Sequence, residues 1–282
     1  MALKLKQFIL REINYYERKY RFLAYFRYAI RFIFFKKHKL PNKLIVSLTS
    51  YPPRFTKLHL TVKTLLSQSI NADLVVLWIF KKDFEKLPKK VRKLEGHRFQ
   101  IQIVENDIKS YKKLVPALKL FPNAYIITAD DDVFYDFCWI ESLISQHIIG
   151  EKEILGHRGH LIKLCSNGLI APYSQWEWET NNTKKSPYIF LTGVGGILYP
   201  PQSLHSDVSM TNEFMSICPR CDDIWFYFMA HKNGFMSRRV IGNFSGYTWG
   251  GTQDVALFNS NVAGGANDRA MQAMILKYGS PL

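Results

Sequence analysis

The sequence predicts an α/β fold, a mainly parallel central sheet flanked by helices, behind an N-terminal basic amphipathic helical extension. Two observations predict the sheet. Four short apolar, β-branched runs fall between residues 43 and 129, and a helical or polar stretch separates each from the next, as in βαβ units. The extension follows from a third: residues 1–40 contain no Gly or Pro, and cations alternate there with aromatic residues.

The elements follow in order. "KLIVSLTS" (43–50) reads as the first strand, ended by "YPPR" (51–54), and "LHLTVKTLLSQS" (58–69) has helical periodicity. "ADLVVLWIF" (72–80) is the second strand, "KDFEKLPKKVRKLEG" (82–96) a polar helix ended by Gly96, and "FQIQIV" (99–104) the third strand. "KSYKKLVPALKLF" (109–121) is helical, and "AYIITA" (124–129) is the fourth strand. Beyond Phe137 the alternation becomes irregular. A helix is expected at 138–148, a strand–glycine turn–strand at 187–201, and a helix at 222–234 stopped by Gly234. A last helix spans 266–279, with Asn267 as its N-cap. A regular half of the kind that binds nucleotides (41–137) followed by an irregular half (138–282) suggests one domain with a built-on acceptor region. At 47% hydrophobic and 15% aromatic content, the chain has ample material for a core.

The net charge of +15 is concentrated at one end. Residues 1–40 hold eleven Lys or Arg against Glu12 and Glu17, a net +9. Ile9, Ile13, Tyr16, Tyr20, Leu23, Ile30 and Phe34 recur three or four apart, roughly on one face. No uncharged run approaches the roughly 20 residues of a membrane span, and no secretory cleavage site is visible. The segment suits the headgroup region of an anionic cytoplasmic leaflet, although packing on its own domain would use the same pattern. The charge also raises the option of a non-catalytic basic protein on membrane or nucleic acid. No nucleic-acid recognition motif accompanies it, and nucleic acid is not expected as a partner. Cys138, Cys165, Cys218 and Cys221 make no disulfide framework, and "CPRC" lacks the second pair of a zinc site. The expected setting is the cytoplasm, at the inner face of the membrane.

Chemistry concentrates in "NAYIITADDDVFYDF" (123–137), where an apolar strand runs into three adjacent carboxylates. Such neighbours repel unless something positive compensates them. Ligands of open α/β sheets bind outside the carboxyl ends of the strands. Asp130 and Asp132 would point one way there and Asp131 the other. Two hard oxygen donors suit Mg2+ or Mn2+ carrying a diphosphate; a solvated turn would use the same residues. The first strand end contributes Thr49, Ser50, Tyr51 and Arg54. The third contributes Asn106 and Asp107, followed by Lys109, Lys112 and Lys113.

"ADDDVFY" resembles the DxD motif of nucleotide-sugar-dependent glycosyltransferases of the GT-A fold. The ordered pieces "DDDVFY", "GHRGH", "YIFLTGVGGILY" and "CPRCDDIWFYFMA" are similar to exostosin-like and bacterial surface-polysaccharide transferases over residues 43–235. The resemblance implies a GT-A fold and a metal-dependent transfer of sugar from a nucleoside diphosphate, UDP-sugars favoured, to a glycan or glycolipid of capsule or lipopolysaccharide synthesis. It implies donor binding by Asp130, Asp131 and Asp132, with Asp132 the leading metal ligand. Asp222 and Asp223 match the second acidic motif, Asp223 as general base and Asp222 orienting the acceptor; both would equally cap the helix that follows. Gly193, Gly195 and Gly196 would admit the sugar, or form a tight hairpin turn. Arg158 and Lys113 would aid the leaving diphosphate, and His157 and His160 are either pyrophosphate ligands or structural. The C-terminal histidine that many such enzymes give the metal is missing, with Asn267, Asp268 or water in its place. Loop 244–266 would close over the donor. A metal-dependent nucleotide-sugar phosphohydrolase would use the same triplet.

Overall fold

The computed structural model describes residues 2–33, 36–242, 244, 246–252 and 265–282, with the side chains of residues 2–11 and 13 outside the description. The chain runs α1 (Ala2–Ile30), β1 (Lys36–Lys37), β2 (Leu44–Thr49), α2 (Phe55–Leu65), β3 (Ile70–Asn71), β4 (Leu74–Phe80), α3 (Lys89–Arg92) and β5 (Phe99–Val104). It continues with α4 (Val115–Leu120), β6 (Tyr125–Ala129), β7 (Val133–Phe134), α5 (Trp139–Ile144), β8 (Glu153–Gly156), β9 (Gly159–Leu161), β10 (Ile189–Leu191) and β11 (Ile197–Tyr199). The last elements are α6 (Thr211–Ile217), α7 (Asp222–Lys232), β12 (Met236–Arg239), β13 (Tyr247–Thr248) and α8 (Ala266–Tyr278).

A seven-stranded sheet in the order β12-β8-β11-β6-β2-β4-β5 forms the centre. β6, β2, β4 and β5 are parallel, β12 is parallel to β8, and β11 runs against both β6 and β8. This is a mainly parallel α/β sheet flanked by helices, Rossmann-like as expected. Its inner strands are buried along almost their whole length, with patterns such as Leu44–Leu48 and Tyr125–Ala129 fully enclosed. That accounts for their continuous apolar runs, since a sheet covered on both faces has no polar face to alternate with. One hydrophobic cluster lies on each face: Ile45, Val76 and Ile126 on one side, Val46, Val75 and Ile127 on the other. The chain lays β2, β4 and β5 outward in turn, then crosses back to set β6 on the other side of β2. A crevice opens where strand order reverses, between the carboxyl ends of β2 and β6.

Several elements differ from the sequence reading. The polar helix at 82–96 is a 3-10 turn over Lys81–Lys86 followed by the short α3, because Pro88 separates them. The helix at 109–121 is likewise split, a 3-10 turn over Lys109–Lys113 preceding α4, with Leu114 outside helical geometry and Pro116 in the first turn. β10 and β11 do not form a hairpin. β10 pairs with β9 in a separate two-stranded sheet, whereas β11 enters the central one. α8 is preceded by Gly265 at φ 63°, so Asn267 lies inside the helix and is not its cap. α1 stops at Ile30 and does not reach residue 40.

The packed face of α1 also differs from the expected one. Glu17, Tyr20, Ala24 and Arg27 turn inward, while Tyr16 stays exposed. Ala24 is buried in a cluster with Leu60, Phe134 and Trp249. Tyr20 stacks on Tyr247 at 4.4 Å between ring centroids. Arg27 donates to the carbonyls of Tyr135 and Ser67 at 3.0 Å each. Glu17 pairs with Lys57 and accepts hydrogen bonds from the Tyr247 hydroxyl and the Gly250 amide. Ile9, Ile13 and Phe34 of the expected stripe lie outside the described side chains.

Candidate active site

A cavity of about 880 Å³ opens at the crevice. The ends of β2, β5 and β6 and the start of α7 supply Thr49, Ser50, Tyr51, Arg54, Asp107, Lys113, Asp130, Asp131, Asp132, Asp222 and Asp223 to its wall, and Arg158 joins them from the β8–β9 connection. Sheet topology therefore gathers these expected residues in one place.

Local structure explains how each is held. β6 ends at Ala129, and the Asp130 amide donates to the Tyr135 hydroxyl at 2.7 Å, folding the chain back so that the triplet faces the crevice. Just beyond the two-stranded β7–β13 pair, the Trp249 amide donates to the Asp132 carbonyl at 2.9 Å. Ser47, inside β2, receives the indole N–H of Trp78 and donates to the Lys113 carbonyl, which fixes the 3-10 turn that carries Lys113. Asp222 and Asp223 occupy the first turn of α7, where the helix dipole favours carboxylates.

The triplet finds positive partners within the protein. Arg54 Nη1 lies 2.9 Å from Asp131 and 3.2 Å from Asp132. The buried Lys113 Nζ lies 3.2 Å from Asp130 and 3.1 Å from Asp222, linking the two acidic motifs. Arg54 and Lys113 are therefore engaged by carboxylates, and Lys113 lines the cavity between the two acidic motifs. Burial alone would lower the Lys113 pKa, but Asp130, Asp222 and Asp223 hold it well above the usual lysine range.

Around the two acidic motifs themselves negative charge remains in excess, five carboxyl groups against Arg54 and Lys113. Burial, then Asp131 and Asp130, push the Asp132 carboxyl up to about 7 against the pull of Arg54. Burial and then Asp222 push Asp223 up to about 7 against Lys113 and the Gly193 amide. Crowded carboxyl groups of this kind fit a divalent cation, which relieves the repulsion that raises them. No three His, Cys, Asp or Glu side chains converge as a ready metal cage among the described residues. Asp130 and Asp132 would supply the protein's share, as Mg2+ and Mn2+ are commonly bound by one or two carboxylates plus phosphate oxygens. Of the residues considered in place of the missing histidine, Asn267 lines the cavity, whereas Asp268 accepts from the Tyr173 amide at 2.7 Å outside it.

These raised carboxyls carry a stability signature. Both fold with pKa values above the ordinary 3.8, so the stability they contribute is complete below that value and is lost as pH rises through about 7. The stability of the ligand-free protein, and its unfolding temperature with it, is expected to fall between about pH 4 and about pH 7, by on the order of 1 kcal/mol per pH unit for each group. Differential scanning fluorimetry would show this, and a flat profile would contradict the crowding.

The glycines divide into two kinds. Gly193 lines the cavity and donates its amide to Asp223 at 3.1 Å; a Cβ there would stand 2.8 Å from Lys113 Nζ. Gly195 and Gly196 do not line it, which corrects their assignment to the sugar. A Cβ on Gly195 would meet Arg158 backbone at 2.9 Å, and Gly196, at φ +88°, would meet the Trp139 ring at 2.3 Å. Gly193→Ala is expected to lower turnover up to about 100-fold with little loss of stability, because it displaces Lys113 and Asp223. Gly196→Ala should instead cost about 1–3 kcal/mol or more of stability and so lower the melting temperature. Melting curves alongside turnover would separate the two.

His157 lines the cavity and His160 does not, and hydrogen bonds fix both rings. His157 bonds Ser142 Oγ at 2.6 Å and the Gly195 carbonyl at 3.1 Å, and His160 accepts from the Glu179 amide at 2.9 Å. Burial lowers both to about 4. Arg158 reaches Glu179 at 2.9 Å and Thr192 at 3.0 Å on the cavity wall. Asp107 pairs with Lys109 and Lys112; burial opposes its ionisation, but these cations hold it down at about 2. Cys218 and Cys221 are buried free thiols, and burial followed by Asp222 and Asp223 pushes Cys221 up to about 12. Loop 244–266 lies mostly outside the described residues.

Sequence reasoning missed Tyr173, Thr192, Glu179 and Arg239 on the wall. Arg239 had a usable signal, since it ends β12, an unrecognised strand whose carboxyl end the crevice rule would have flagged. The others come from irregular segments that only the tertiary fold brings near.

No family model matches the chain, and no curated protein matches it by sequence. A solved structure, 4-diphosphocytidyl-2C-methyl-D-erythritol synthase from Anaerococcus prevotii, is similar to it with 11% identity and a TM-score of 0.47, over 80% of this chain and 96% of that one. A likeness of that degree does not bear on what the cavity binds.

Proposed function

We propose that the protein is a metal-dependent glycosyltransferase that moves a sugar from a nucleoside diphosphate, UDP favoured, to a hydroxyl of a glycan or glycolipid in bacterial surface-polysaccharide synthesis. The observation that carries the reading is the meeting of two acidic motifs in one cavity, each with a carboxyl group pushed up to about 7. A nucleotide sugar matches the cavity's volume, which lies within the range of small-molecule sites.

Asp130 and Asp132 would hold Mg2+ or Mn2+, which when bound neutralises charge on the departing diphosphate. Asp223 accepts the acceptor's hydroxyl proton as the hydroxyl oxygen bonds to the anomeric carbon. The bond from that carbon to the diphosphate oxygen breaks, and the nucleoside diphosphate leaves with the bonding pair. Its pKa near 7 suits a general base at neutral pH. Gly193 orients it through its amide, and Lys113 holds Asp222 beside it. Arg158, with Thr192, borders the donor.

The test is a panel of nucleotide sugars scored for Mn2+-dependent thermal stabilisation, followed by transfer to membrane-extracted glycolipid. Stabilisation by one nucleotide class and acceptor-dependent turnover are expected. Release of phosphate from the donor at the same rate without acceptor would identify a phosphohydrolase instead. No stabilisation by any nucleotide would remove the enzyme reading.

A further inference from the structure

We propose that the outward face of α1 binds an anionic lipid surface, holding the protein on the cytoplasmic leaflet with this helix along the headgroups. Tyr15, Phe22 and Phe26 recur at helical spacing on the side opposite Glu17, Tyr20, Ala24 and Arg27, with Tyr25 at its edge bonding His59 of α2, and Phe32 and Ile33 lie just past the helix end. Tyr15 is 61% exposed, Phe22 66%, Phe32 68% and Ile33 72%, although the same helix buries its other face. Aromatic surface of this size left in water, with Phe22 and Phe26 stacked on each other, marks an interaction site. Arg18, Lys19 and Arg21 flank it and are exposed, with Lys36 and Lys37 just beyond.

Charge decides the occupant. A second copy docked on this face would set like cations against one another. An anionic bilayer instead takes rings into the acyl boundary and cations among the headgroups, each Lys or Arg adding to the attraction. None of the described helices is long and apolar enough to cross a membrane, so the helix would lie on the surface.

The inference is independent of the transfer reading, because vesicle binding is measured without donor or acceptor. Full-length protein is mixed with phosphatidylcholine vesicles, with and without phosphatidylglycerol, and sedimented. Binding is expected only with phosphatidylglycerol and should weaken with salt. Phe22→Ser with Phe26→Ser should reduce partitioning at least about tenfold with an unchanged melting temperature, since these two rings stack on each other and belong to no core cluster. Arg18→Glu with Arg21→Glu should erase the preference for anionic lipid while the protein stays folded. Equal binding by all variants, or no wild-type binding, would overturn the proposal. So would a concentration-dependent dimer that Phe22→Ser dissolves, which would assign the face to a second copy.

Discussion

Asp132→Asn is expected to abolish sugar transfer and Mn2+-dependent stabilisation by nucleotide while leaving the protein folded. The substitution removes a carboxylate proposed to ligate the metal, and an amide oxygen carries no formal charge with which to hold a divalent cation. Loss of a metal that stabilises the leaving group costs several kcal/mol of barrier, so turnover should fall by about three orders of magnitude or more. The fold should survive, because Arg54 retains Asp131 at 2.9 Å and the Asp132 backbone carbonyl still receives the Trp249 amide. Removing a crowded carboxylate should also flatten part of the pH dependence of stability. Isothermal titration with Mn2+ and UDP, beside melting curves, would check both. Unchanged metal-dependent turnover would remove the metal from this site.

Asp223→Asn is the second large effect. Loss of a general base costs about 10²–10⁴ in turnover. Here donor binding should persist, since Asp223 stands on α7 and Asp130–Asp132 follow β6. The variant should therefore retain nucleotide-dependent stabilisation with Mn2+ and lose transfer. Wild-type turnover should rise with pH through about 7 as Asp223 ionises, and the residual rate of the variant should lack that dependence. Loss of donor binding in the variant would move Asp223 from the acceptor side to the donor side.

The parallel half was readable because its strands are covered on both faces. Burial demands continuous apolar runs such as "LIVSLT" and "YIITA", and the crossover helices between them carry their own period. The site followed from the same logic, since residues just past strand ends must line the crevice. Irregular structure was less legible. Pro88 sits within a stretch whose charges otherwise suit a helix, and only the break at Leu87–Pro88 shows that proline prevailed. The glycines of 193–196 are alike in sequence; neighbours from elsewhere in the chain, Lys113 for one and Trp139 for another, assign them different work. The partners of the acidic triplet were hidden for the same reason. Arg54 was legible as a cavity residue, but its pairing with Asp131 and Asp132 depends on the turn that follows β2.

The contacts of Glu17 limit how α1 can be treated experimentally. Through Lys57, Tyr247 and Gly250 this single carboxylate ties the helix to the stretch whose Trp249 amide holds the Asp132 carbonyl. A truncation that begins after residue 35 would therefore unroof Phe134 and Trp249 and loosen the backing of the acidic triplet. The N-terminus is no detachable tether: shortened protein that pelleted would report aggregation of a damaged particle, not retained attachment to lipid.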